Sequence, residues 1–136
     1  MVKTVMRFLL AAVLLGAGVM HFVDPWFFVQ IMPPYLPWHW ELVYVSGVIE
    51  LVLGVALLVP ATRQVAAYGA IALFIAVFPA NIHMAMAHVQ FDPPPPMGQP
   101  SPTAAWLRLP MQFVLIAWAW WLARDDGHAK KLALPR

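Results

Sequence analysis

The 136 residues leave room for one domain; 62% are hydrophobic and 10% are charged, against roughly 45–50% and about 25% in ordinary soluble domains. A soluble chain of this length could not bury that much apolar surface, so the composition predicts an all-α integral membrane protein with lipid as its solvent. Eight Lys and Arg and a formal charge of +2 are too few and too scattered for nucleic-acid binding, and the lack of cysteine excludes thiol–disulfide chemistry, Cys-ligated zinc and iron–sulfur clusters.

About 20 helical residues cross a hydrocarbon core of about 30 Å, and four segments fit within a single domain over residues 1–136. The first is Val5–Val23. Its basic start and apolar run resemble a signal peptide, but the run closes on His21, Asp24 and Pro25 without a small-x-small cleavage site, so it reads as a retained span. The connection Asp24–Glu41 carries Trp26, Tyr35, Trp38 and Trp40, rings suited to the headgroup region. It predicts a short interfacial helix around Trp26–Met32, ended by Pro33 and Pro34, that is either a lid over the bundle or a plain aromatic anchor. The second span is Leu42–Val59, followed by a turn at Pro60–Gln64 and a third span at Val65–Val89. The connection Gln90–Pro102 contains four consecutive prolines, Pro93–Pro96. Proline fixes φ and removes donors, so this stretch is expected to be extended and stiff, a spacer rather than a recognition element. The fourth span is Thr103–Leu122.

Orientation follows from the basic residues. With the N-terminus inside, the inner side receives Lys3, Arg7, Arg63, Arg124, Lys130, Lys131 and Arg136, and the outer side only Arg108. This asymmetry predicts both termini in the cytoplasm. The expected architecture is a four-helix bundle in a cell membrane, of the bacterial inner-membrane kind.

Ionisable and amide side chains inside a span are costly and tend to face the bundle interior. At about 1.5 Å per residue, Glu50, Asn81 and Gln112 each lie about 12 Å below the outer end of their helices, and His21, His83 and Arg108 roughly 3–9 Å below it. Antiparallel running brings all six into the outer half as candidate ligand-binding residues, with His88 at the surface. Gly47, Glu50 and Gly54 share a stripe of small residues, as do Ala17, Gly18 and His21. Such stripes allow close helix approach. Pro79 and Pro110 release the carbonyls of Ile75 and Trp106, which need side chains or water. Two readings stay open: a pocket for a polar or redox-active ligand, or a buried Glu50–Arg108 ion pair that only fixes helix register.

His83, Met84 and His88 carry soft-metal ligand types suited to copper, although on a helix only Met84 and His88 share a face. His21 with His83 could ligate haem. No metal or haem is required by the pattern.

Gly18-Val-Met-His21-Phe, Ile31-Met-Pro-Pro-Tyr-Leu-Pro37, Leu42-Val-Tyr-Val-Ser-Gly-Val-Ile-Glu50, Leu57-Leu-Val-Pro-Ala-Thr-Arg63, Ala76-Val-Phe-Pro-Ala-Asn81-Ile and Arg108-Leu-Pro-Met-Gln112 resemble, in order, the DoxX family of small four-helix membrane proteins. The resemblance implies a link to membrane redox systems, as an oxidoreductase subunit or an organiser of redox enzymes, and carries no catalytic residue set with it. The expected function is therefore a redox-associated component that binds a quinone-like or other small amphipathic molecule. In that function Glu50 handles a proton or anchors the ligand, while Arg108, Asn81, Gln112 and His21 supply hydrogen bonds. The alternative is a non-enzymatic scaffold subunit, alone or as a homo-oligomer with a membrane redox partner; a small transporter is a third reading.

Overall fold

The computed structural model describes residues 1–96 and 98–124. The basic residues Lys130, Lys131 and Arg136 of the orientation count lie outside the described residues. Among the described residues five helices follow one another: α1 Val2–Val23, α2 Pro25–Ile31, α3 His39–Leu58, α4 Arg63–Met86 and α5 Pro102–Arg124. Among the described residues α1, α3 and α4 are long and apolar enough to cross a membrane. Helix α5 has 23 residues but carries Arg108 and Gln112, which lower its apolarity. The helices start earlier than the apolar runs: α1 begins at Val2 and α3 at His39. Hydrogen bonding continues through polar residues where apolarity has already ended. At the other end α4 stops at Met86, three residues before the expected Val89. There His88 takes a positive φ of 48°, which no continuing helix accommodates.

The long helices form two tight pairs. Helix α1 packs on α3 through the expected small-residue stripes, where a Cβ added at Gly47 would stand 2.7 Å from the His21 Cβ, and one at Gly54 2.7 Å from the Leu15 Cγ. Glycine at these positions therefore sets the interhelical distance, the usual basis of close helix packing in lipid. Helix α4 packs as closely on α5, whereas α3 meets α4 less extensively and α1 barely touches α5.

At one end the two pairs close on each other. Leu10 and Leu14 of α1, Leu57 of α3, Ala70 and Phe74 of α4, and Ala119 of α5 belong to one buried cluster. The alanines let the two pairs approach, and the leucines fill the remaining volume. Basic residues and tryptophans ring this end, with the Lys3 ammonium 4.7 Å from the Trp121 ring and the Arg124 guanidinium 5.6 Å from Trp120.

At the opposite end the pairs diverge, and α2 lies across the gap. Asp24 caps α2 by accepting from the Phe27 N–H at 3.4 Å, and Pro25 begins the helix, where its missing N–H costs nothing. A short helix thus exists where one was expected, one residue earlier than placed. His83 Nδ1 lies 3.0 Å from the Ile31 carbonyl at the end of α2. That carbonyl can only accept, so the ring donates to it and fastens α2 to α4. A second cluster, built on Ile31, Met84, Ala85, Phe91 and Ala105, seals α2 against α4 and α5.

The proline connection is not the extended rod expected. Gly98, at φ +87°, donates its N–H to the Pro95 carbonyl at 2.8 Å, so the chain turns there. The side chain of Gln99 then bonds both backbone groups of Phe91, accepting at 2.9 Å and donating at 2.5 Å. Asp92 is held in turn by α2: its N–H donates to Gln30 at 2.7 Å and its carbonyl accepts from the Trp26 indole at 2.6 Å. Proline cannot make backbone donations, but its flanking residues supply them and dock the loop on α2.

Candidate functional site

The divergence of the two pairs leaves a cavity of about 520 Å³, within the range of small-ligand sites. Its wall is mostly apolar, and α2 with the segment after it contributes Phe28, Ile31, Met32 and Leu36 to it. Five of the six candidate residues line it: His21, Glu50, Asn81, Arg108 and Gln112. They come from four helices. His83 is the exception, because its ring is committed to the Ile31 carbonyl and it is not among the lining residues. Met84 lies in the second buried cluster. It shares with His88, but not His83, a minor crevice near Pro100–Pro102.

The polar residues divide between two walls. On the α1–α3 wall, His21 is 6% exposed and Glu50 7%, so both depend on protein contacts. His21 Nδ1 is 2.7 Å from the Ala17 carbonyl, four residues earlier in α1. A carbonyl only accepts, so the proton sits on Nδ1 and is directed at Ala17. The Glu50 Oε2 is 3.0 Å from the same nitrogen, but off the N–H direction, and has no hydrogen-bonded partner. Oε2 is thus buried against the imidazole without taking its proton, and Oε1 is left to the cavity. Phe28 of α2 stacks on the imidazole at 3.7 Å between centroids and 16° between planes, which fixes the ring from its other side.

On the α4–α5 wall the amides satisfy each other. Gln112 Nε2 donates to the Phe74 carbonyl at 2.8 Å, and its Oε1 accepts from Asn81 Nδ2 at 3.5 Å. Phe74 directly precedes Ile75, whose helical partner Pro79 removes. The side-chain bond thus goes to Phe74 and not to the released Ile75 carbonyl for which a partner was expected. Arg108 is half-buried on the same wall, with its guanidinium 5.5 Å from the Phe27 ring. It forms no ion pair and no hydrogen bond among the described residues, and neither does it reach Glu50. The alternative Glu50–Arg108 pair of the sequence is thus absent. Gly47 brings α1 against α3 and gives Glu50 an imidazole neighbour instead.

Sequence reasoning missed Phe28, the Ala17 carbonyl and Ser46, which lines the cavity while donating to the Val43 carbonyl at 2.9 Å. Phe28 was legible only as one aromatic among several. Ala17 shares a face with His21 at i, i+4, the spacing that lets a histidine bond back along its own helix. No cluster of three His, Asp or Glu able to hold a metal ion occurs among the described residues.

Residues 10–123 match the family described as Domain of unknown function (DUF8561), and the chain belongs to that family. The match spans the whole cavity wall. Neither the curated proteins nor the solved structures contain a match to the chain.

Proposed function

We propose that this DUF8561 member is a four-span cell-membrane protein that binds a quinone-like or other small amphipathic molecule between its two helix pairs. Both termini lie on the cytoplasmic side in this reading, and the diverging end faces outward. The observation that carries it is the pair of opposite charges left apart. A carboxylate and a guanidinium line one mostly apolar cavity, and neither has a hydrogen-bonded partner among the described residues. Buried polar groups are ordinarily satisfied, and two unlike charges in a low-dielectric space attract strongly. Each is held away from the other by its own wall, Glu50 against His21 and Arg108 against Phe27. A ligand with oxygen atoms at both sides of its head would satisfy both, with its apolar body against the leucine, valine and phenylalanine lining.

The redox association rests on the DoxX resemblance, and the partner would be a membrane oxidoreductase. The test is thermal unfolding in mild detergent with added decyl-benzoquinone and decyl-hydroquinone. Either compound should raise the midpoint of the native chain, and neither should do so in Ala80→Phe, which fills the cavity. No shift in the native chain with either compound refutes the reading.

One observation favours a scaffold instead. The Gly47 and Gly54 contacts, together with the His21–Glu50 contact, fix the register of α1 against α3. Here the two polar residues would matter to stability alone, and the double replacement His21→Leu with Glu50→Leu would leave assembly with a partner intact.

The orientation has its own test. The chain has no cysteine, so single cysteines at Tyr35 and Ala61, both exposed, report unambiguously. Tyr35→Cys should react with an impermeant maleimide added to whole cells, and Ala61→Cys only after lysis.

A further inference from the structure

The two walls differ in hydrogen-bonding sense, and the difference specifies the ligand further. On the α1–α3 side the available group is the Glu50 carboxylate, which can only accept: its Oε2 is buried against His21, so the other oxygen, Oε1, is the one the cavity reaches, and it receives no hydrogen bond among the described residues. The one nearby donor, the Nδ1–H of His21, is spent on Ala17 at 2.7 Å. On the α4–α5 side the available group is a donor, since the guanidinium of Arg108 has five N–H groups and no acceptor among the described residues. Gln112 and Asn81 each keep one N–H beyond their bonds to Phe74 and to one another, and Asn81 keeps its Oδ1, so Arg108 is the charged donor on a wall that neutral amides supplement.

We infer that the cavity selects a neutral amphiphile whose head presents a hydroxyl donor to Glu50 and an oxygen acceptor to Arg108, and hence the hydroquinone over the quinone. The inference rests on the ligand-binding reading above and adds the sense of each contact. Neutrality follows from the walls. Glu50 and Arg108 cancel, so a neutral head leaves the cavity without net charge, whereas a singly charged head would leave an uncompensated charge in an apolar space. The hydroxyl follows from Glu50: a quinone carbonyl facing it would put two acceptors together and leave the carboxylate unsatisfied, the contact that discriminates most strongly in buried sites. At the other wall hydroquinone and quinone oxygens serve Arg108 equally.

The experiment is equilibrium titration of the full chain in mild detergent with decyl-hydroquinone, decyl-benzoquinone and the dimethyl ether of the hydroquinone, the first under reducing conditions. The ether keeps the shape and oxygens of the hydroquinone but cannot donate. Affinity for the hydroquinone should exceed that for the other two by about tenfold or more, the effect of one hydrogen bond to a charged group. Glu50→Gln, whose amide can donate as well as accept, should shrink the preference over the quinone to about twofold or less. Arg108→Leu should weaken all three compounds together. If the three bind the native chain equally, or the quinone binds tighter, the donor–acceptor assignment is overturned while the ligand site stands. If none binds, the site itself is refuted. Because the native series decides alone, poor folding of either variant leaves the outcome intact.

Discussion

Adding one methyl group at Gly47 tests how the site is built. A Cβ there would lie 2.7 Å from the His21 Cβ, 3.0 Å from the Phe22 Cε2 and 3.3 Å from the His21 Cγ. The first of these atoms is fixed by the α1 backbone, so rotamer changes cannot relieve the clash and the helices must part. Overpacking of this kind costs about 1–3 kcal/mol. Alanine also gains roughly 1 kcal/mol over glycine in helix propensity, which would blur a single measurement. Gly16 removes the ambiguity: it is on the same helix system, and a Cβ there meets nothing within 4 Å. Both variants gain the propensity, so the difference between them isolates the steric cost, about 1–3 kcal/mol against Gly47→Ala. Gly54→Ala should fall between, because its nearest atoms, Leu15 Cγ at 2.7 Å and Cδ2 at 2.9 Å, belong to a side chain that can turn. Reversible unfolding by sodium dodecyl sulfate from mixed micelles, followed by far-UV circular dichroism, gives the three free energies. Equal stability of Gly47→Ala and Gly16→Ala would refute the account of α1–α3 packing, and with it the placement of Glu50 beside His21.

Other perturbations separate the remaining contacts. His21→Leu loses the imidazole's bond to Ala17 and its stacking on Phe28 and should destabilise the bundle by about 1–3 kcal/mol in the same unfolding assay. Gln112→Leu removes the side-chain bond to the Phe74 carbonyl and the acceptor of Asn81 and should cost about 0.5–1.5 kcal/mol. His83→Ala releases the end of α2 from α4. Hydrogen exchange should then rise over residues 25–38 while the closed-end core stays protected, with a loss of about 1 kcal/mol.

The long helices were legible in the sequence because their apolar runs are long and nearly uninterrupted, and the six polar residues stood out against them. Depth counting placed five of those residues on one cavity without any knowledge of packing. Partners were harder to read. Depth and face do not say which helices form the tight pairs, so Glu50 was matched with Arg108 by charge alone, although Gly47 delivers it to His21. His83 was misplaced for a related reason: its depth suits the cavity, but the nearest free acceptor is the end of α2, an element whose docking the sequence leaves unspecified. The proline tract was misread because Pro93–Pro96 suggest a rod, while Gln99 and Gly98, ordinary residues in sequence, close it into a loop on α2.

The most direct test of the central claim is a native mass spectrum of the protein released from gentle detergent, beside Glu50→Leu and Arg108→Leu prepared identically. The account predicts one stoichiometric added mass on the native chain, of a neutral small amphiphile, and its loss from both variants while each keeps its helical content. A native chain that carries no added mass, or one that survives both replacements, would contradict it.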